Sequence, residues 1–234
     1  ASTLEQACED GISPRDKIVV LGHGSSNGVD LERFSRGREG DSRQVRHRLS
    51  TPDNAIIAGF VGRMTGDKGV VELVDAFTAV SPAVPRLHLL LVGDYEHRDR
   101  PPDRITRTIR QHPRIRAVGW QDDTKPYFGV MDLFVFPTHR EGFGTVLLEA
   151  AAMRLPLITT RATGWWSGVD QDDTALYVSI GDAVELERAM ARMASDAELR
   201  INMGAAARRR VEQCFDCRTV WNLQENEFRR LLNG

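Results

Sequence analysis

Two glutamates, Glu141 and Glu149, bracket a glycine-rich turn in the stretch HREGFGTVLLEA at residues 139–150. Gly142, Phe143, Gly144 and Thr145 lie between them, where an apolar run begins. Backbone amides at a helix start have no partner within the helix, and the helix dipole favours an anion there. Carboxylates only accept hydrogen bonds, which suits vicinal hydroxyls such as those of a ribose. Amides in the middle and carboxylates outside therefore fit a ligand with phosphates at its centre and hydroxyls at both ends, the layout of a nucleotide-sugar. Were the whole segment helical, the two glutamates would stand about 12 Å apart along the axis and about 80° apart around it. The plainer alternative, surface glutamates favoured by the helix dipole, suits Glu141. It suits Glu149 poorly, because Glu149 is embedded in VLLEAAAM.

A second loop supplies cations. GFVGRMTGDKG, residues 59–69, brings Gly62, Arg63, Gly66 and Lys68 to one strand-to-helix turn. It contains neither GK[ST] nor GxGxxG, so it is not a P-loop or a dinucleotide fingerprint. Helix-start amides with two cations could cradle a diphosphate; an ordinary turn with solvated charges is the alternative. In VGWQDD, residues 118–123, Gly119 lets a backbone pass close to a flat ligand, and Trp120 either walls a base pocket or simply packs. The Gly-Asp pair at 93–94 reads equally as a ligand edge and as a turn. In RATGWWSG, residues 161–168, Thr163 and Gly164 could edge a site. The adjacent Trp165 and Trp166 cannot share one face of a strand, which suggests an interface.

Short apolar runs precede these loops: 17–21, 55–61, 87–92, 114–118, 132–136, 156–160 and 175–180. They read as buried strands. Between them 69–80, 103–111 and 144–154 read as helices, and from 182 onward the chain reads as helical. Asp182 is the expected N-cap, Gly204 an expected interruption, and 218–232 the last helix. This alternation predicts a Rossmann-like, doubly wound parallel sheet with helices on both faces and a helical C-terminal tail. Such sheets bind ligands at the carboxyl ends of their strands, where the loops above lie. Residues 32–54, charged and poor in large apolar side chains, read as a linker with one short exposed helix.

The 234 residues are 41% hydrophobic and 27% charged, with a net charge of −2. That is enough chain for a real core, and it carries no global field toward nucleic acid or membrane. No apolar run approaches the roughly 20 residues of a membrane span. The polar start reads as neither a signal peptide nor an initiator segment, which suggests a fragment. Three cysteines suit a reducing compartment, and the lone pair Cys214/Cys217 reads as ordinary thiols.

In order, VGRMTGDKG, LLLVGD, VGW, MDLFVFPTHREGFGTVLLEAAAM and LPLITTRATG resemble the C-terminal, donor-binding domain of family-four (group 1) retaining glycosyltransferases of the GT-B fold, of the bacterial capsule, exopolysaccharide and O-antigen type. The resemblance runs from about residue 17 to the end. It implies that Arg63 and Lys68 neutralise the donor diphosphate and that Glu141 contacts the donor sugar near the reaction centre. It also implies that the Gly142–Thr145 amides hold sugar and phosphate, that Glu149 binds the ribose, and that Gly119 and Trp120 line the base. No metal or other cofactor is implied. By the same resemblance, residues 1–50 are the end of an N-terminal domain and a linker, 51–215 the donor-binding domain and 216–234 a C-terminal helix. The donor is expected to be a nucleoside diphosphate sugar, with UDP favoured. The acceptor, a glycan or a lipid-linked glycan, belongs to the missing N-terminal domain. The expected setting is cytoplasmic, at the inner face of the membrane where the longer protein makes peripheral contact, with no nucleic-acid partner. The fragment alone is expected to bind nucleotide without turnover. A nucleotide-sugar epimerase of similar fold and a non-catalytic nucleotide-sugar binding module are the alternatives. Two departures stand out: Arg154 occupies a position that is mostly Gly in the family, and Trp165, Trp166 and Gly168 replace a more usual small or acidic pattern.

Overall fold

A computed structural model describes residues 2–37, 39–162 and 173–233. Six strands form one sheet: β1 Ile56–Val61, β2 Leu87–Val92, β3 Ile115–Ala117, β4 Leu133–Phe136, β5 Leu157–Thr160 and β6 Ala175–Val178. Every pairing is parallel, in the order β3-β2-β1-β4-β5-β6. The helices are α1 Ser2–Glu9, α2 Glu39–Arg48, α3 Val70–Val80, α4 Asp103–Gln111, α5 Lys125–Phe128, α6 Thr145–Ala152, α7 Ala183–Ser195, α8 Ala197–Cys214 and α9 Cys217–Asn233.

The apolar runs become strands because helices cover the sheet. All residues of β1, β2, β4 and β5 are buried, which removes the alternating pattern of a half-solvated sheet. α3 packs against α4 and α7, and α6 against α8. Phe60, Phe134 and Phe136 stack in series beneath the carboxyl ends of β1 and β4, with ring centroids 5.8 and 6.1 Å apart. Asp182 caps α7 as expected: its carboxylate accepts from the amides of Val184 and Glu185 at 3.0 and 2.8 Å.

Three expectations need correction. Residues 18–21 form no strand: Val19 and Val20 are exposed, and no described strand lies beside them to complete a ladder. Gly204 does not interrupt α8, which runs unbroken from Ala197 to Cys214. A side chain at Gly204 would strike the Arg154 carbonyl, so the glycine serves close packing of α8 on the end of α6. The stretch 32–54 is charged yet not solvated all round: Phe34, Val45 and Leu49 are buried, and the Arg46 guanidinium donates to Asp132 at 3.2 Å and to the Val130 carbonyl at 3.1 Å. Trp165, Trp166 and the edge residues Thr163 and Gly164 lie outside the described residues.

Arg154 adopts the left-handed backbone, with φ 58°, that closes the end of α6. Its amide donates to Ala151 at 2.9 Å, and the Leu155 amide donates to Ala150 at 3.0 Å. A side chain in this conformation carries strain of about 1–2 kcal/mol, part of which glycine would return as chain entropy. Arg154→Gly is therefore expected to raise the melting temperature by roughly 2 °C, measured by calorimetry.

Candidate functional site

The strand order reverses between β1 and β4: β2 and β3 lie on one side of β1, and β5 and β6 lie beyond β4. Loops leaving neighbouring strands in opposite directions open a crevice at their carboxyl ends. A cleft of about 780 Å³ occupies that position, within the range of small-molecule sites. Gly62, Arg63 and Lys68 reach it from the loop after β1, and Trp120 from the loop after β3. Glu141, Phe143, Gly144, Thr145 and Glu149 reach it from the β4–α6 segment.

Two expected residues stand back from the cleft wall. Gly119 pairs with the loop after β2, its carbonyl accepting from the Gly93 amide at 2.9 Å. The Gly142 amide turns onto the Glu141 carboxylate at 3.0 Å. The cleft also has walls that sequence reading left open. Asp94, Tyr95 and Glu96 line it from the loop after β2, and Gln121, Asp122 and Thr124 line it beyond Trp120. The signal for the first group was present in the Gly-Asp pair after a buried strand, but a common turn gives the same pattern.

Gly144 sits at φ 74° before α6 and lets the chain enter the helix directly from the loop. Among the described residues the amides of Gly144, Thr145 and Val146 meet no acceptor, whereas Leu147 donates back to Gly144 at 2.8 Å. Three amides at the dipole's positive end thus face a cleft that also holds cations. Lys68 donates to Glu141 Oε2 and to the Arg140 carbonyl, both at 3.0 Å, and its ammonium stands 5.8 Å from the Phe136 ring centroid. Arg63 is ion-paired with Glu96 of the adjoining loop after β2. Asp67, between them in sequence, is pushed up by burial. The Thr65 hydroxyl and the charges of Lys68, Arg63 and Arg140 outweigh that and hold it below the usual carboxylate range.

Glu149 differs from every other carboxylate here. It lies one turn inside α6 between the buried Leu148 and Ala150, and among the described residues its side chain has no hydrogen-bond partner. Burial pushes its pKa up to about 7, against a smaller opposing effect of the Arg33 guanidinium. The folded chain therefore holds this proton where the unfolded chain has lost it. The stability that the protonated form contributes is complete below about pH 4.5 and is lost as pH rises through about 7. Glu149→Gln removes this penalty. Between pH 5 and pH 8 its stability relative to wild type is expected to improve by roughly 2 kcal/mol in denaturant titrations. A constant difference across that range would contradict the assignment.

Among the described residues no group of three or more His, Cys, Asp or Glu side chains is gathered as metal ligands, and no helix is long and apolar enough to cross a membrane.

Comparison with known proteins agrees with this fold. The sequence profile described as "Glycosyl transferases group 1" matches residues 55–196. The capsular polysaccharide biosynthesis glycosyltransferase CapM of Staphylococcus aureus is 32% identical over 94% of this chain and 57% of its own length. The lipopolysaccharide core biosynthesis glycosyltransferase LpsE of Rhizobium meliloti is 33% identical over 68% of this chain and 45% of its own. The chain thus spans about half the length of these relatives. Among solved structures, HepE of Anabaena in complex with UDP and glucose superposes with a TM-score of 0.81 at 21% identity, covering 96% of this chain and 60% of that one. The C-terminal domain of LpcC from Francisella tularensis superposes at 0.69 and 23% identity, over 80% of this chain and 97% of that domain. With the profile matching residues 55–196, more than half of its length, the chain belongs to the group 1 glycosyltransferases.

Proposed function

We propose that this chain is the donor-binding half of a retaining glycosyltransferase that moves a sugar from a nucleoside diphosphate sugar to a glycan or lipid-linked acceptor in surface polysaccharide synthesis. The observation that carries the proposal is the set of groups that one cleft gathers. Glu149, the unpartnered Gly144–Val146 amides, and Arg63 and Lys68 with Glu141 all line it. Ribose hydroxyls donating to Glu149, a diphosphate on the amides and cations, and a sugar beside Glu141 would satisfy each in turn. UDP is the favoured nucleotide, in keeping with the UDP held by the Anabaena neighbour.

In the proposed reaction the bond between the anomeric carbon and the phosphate oxygen breaks, with its electron pair leaving on the diphosphate. Arg63, Lys68 and the α6 amides stabilise that charge. The acceptor hydroxyl bonds to the same face of the anomeric carbon and gives its proton to the departing phosphate. Glu141 orients the sugar and supports positive charge on its ring; it does not attack. Both cations are already ion-paired, Arg63 with Glu96 and Lys68 with Glu141, so a diphosphate competes for them with carboxylates. The charge is met by protein groups, and binding is proposed to need no metal; EDTA should leave it unchanged.

Calorimetry of the chain with UDP, GDP and their glucose conjugates is expected to reveal binding to one nucleotide series. Binding to none, with the protein folded, would overturn the donor reading. Glu149→Ala is expected to weaken nucleoside diphosphate binding by roughly 1–3 kcal/mol. Unchanged affinity in this variant would remove the ribose role from Glu149.

A further inference from the structure

Beneath the cleft the loops after β1 and β4 are tied together by residues that do not line it. Asp67 accepts at its carbonyl from the His139 amide at 2.8 Å and from the Thr138 hydroxyl at 3.1 Å. Its carboxylate lies 3.6 Å from the Arg140 guanidinium. Gly69 holds φ 70° where any side chain would strike the Pro137 carbonyl, so the two backbones touch at that point. In the same seam, Glu72 of the first turn of α3 meets the His139 ring, with Oε1 3.1 Å from Nε2. The other carboxylate oxygen, Oε2, is buried and has no hydrogen-bond partner among the described residues. A carboxylate kept largely from water for one hydrogen bond is an expensive arrangement that leucine or alanine would avoid. The start of α3 offsets part of that cost, because the helix dipole favours a negative charge there.

We propose that Glu72 and His139 are positioning residues: their contact locks the Glu141 loop to the Lys68 loop, so that the groups assigned to the sugar and diphosphate are presented as one rigid unit. His139 is two residues from Glu141, and Lys68 is four residues before Glu72, just ahead of the start of α3. The pair therefore ties the base of one arm of the cleft to the base of the other. It leaves Glu149, held separately inside α6, untouched.

Hydrogen exchange followed by mass spectrometry tests this without any ligand. In Glu72→Ala and in His139→Ala, the segment 137–144 is expected to exchange at least tenfold faster than wild type, while β1 and β2 keep their protection. Glu72→Gln retains an acceptor for the ring and should restore wild-type exchange. The double alanine variant should be no worse than either single one, as expected for partners in one contact. Equal protection of 137–144 in wild type and both alanine variants would overturn the proposal. So would a loss of protection spread evenly over the sheet, which would make the pair a general stabiliser.

A binding arm rests on the donor reading of the cleft. Glu72→Ala should weaken UDP-glucose binding about tenfold and UMP binding less than twofold, because UMP lacks the sugar end. Equal weakening of both would count against a role confined to the Glu141 arm. If wild type binds neither probe, the UDP assignment falls while the exchange result still decides the role of the pair.

Discussion

The cleft depends on one constraint, the reversal of strand order between β1 and β4. A parallel sheet buried on both faces leaves only its strand ends open to ligands. Where neighbouring strands send their loops to opposite sides, those ends separate and a crevice forms without any cavity in the core. The stacked rings of Phe60, Phe134 and Phe136 make its floor rigid. Everything that carries charge in the cleft hangs on loops that leave this floor or on the first two turns of the helices that follow.

The electrostatics follow from that geometry. Arg63 and Lys68 face an open cleft, where unpaired cations would attract any anion. Each instead meets a carboxylate, Glu96 or Glu141. Glu149 lies one turn inside α6, between buried apolar neighbours, and burial holds its proton into the neutral range. One carboxylate is thus paired with a cation and the other is pushed up by desolvation, in a single eight-residue interval. Ligand hydroxyls donating to Glu149 would favour its ionised form, so binding and proton release are coupled at that residue.

Much of this was legible in the residues. The six runs from Ala55 onward became strands because each is short, mostly apolar and bounded by Gly, Pro or Asp. The helices at 70–80, 103–111 and 145–152 followed from apolar spacing and from Asp, Gly or Pro at their ends. Residues 17–21 have the same local composition and are not a strand, because a strand needs a neighbour and none of the described strands lies beside them. Gly204 looked like a helix end and is a packing contact, because a helix interior tolerates glycine wherever another backbone must approach. The left-handed Arg154 shows the converse: the site demanded a backbone conformation, and the chain met it without glycine.

By itself the sequence determined the alternation of strand and helix, and with it the sheet. It also determined the set of loops in which Arg63, Lys68, Glu141 and Glu149 had to lie, because periodicity and turn residues are local properties of the chain. Only the tertiary structure decided which of those loops meet. It set Asp94, Tyr95 and Glu96 beside Arg63, turned the Gly142 amide away and joined Glu72 to His139 across 67 positions. It also raised the pKa of Glu149, because the dielectric around a carboxylate is fixed by the neighbours that folding brings to it.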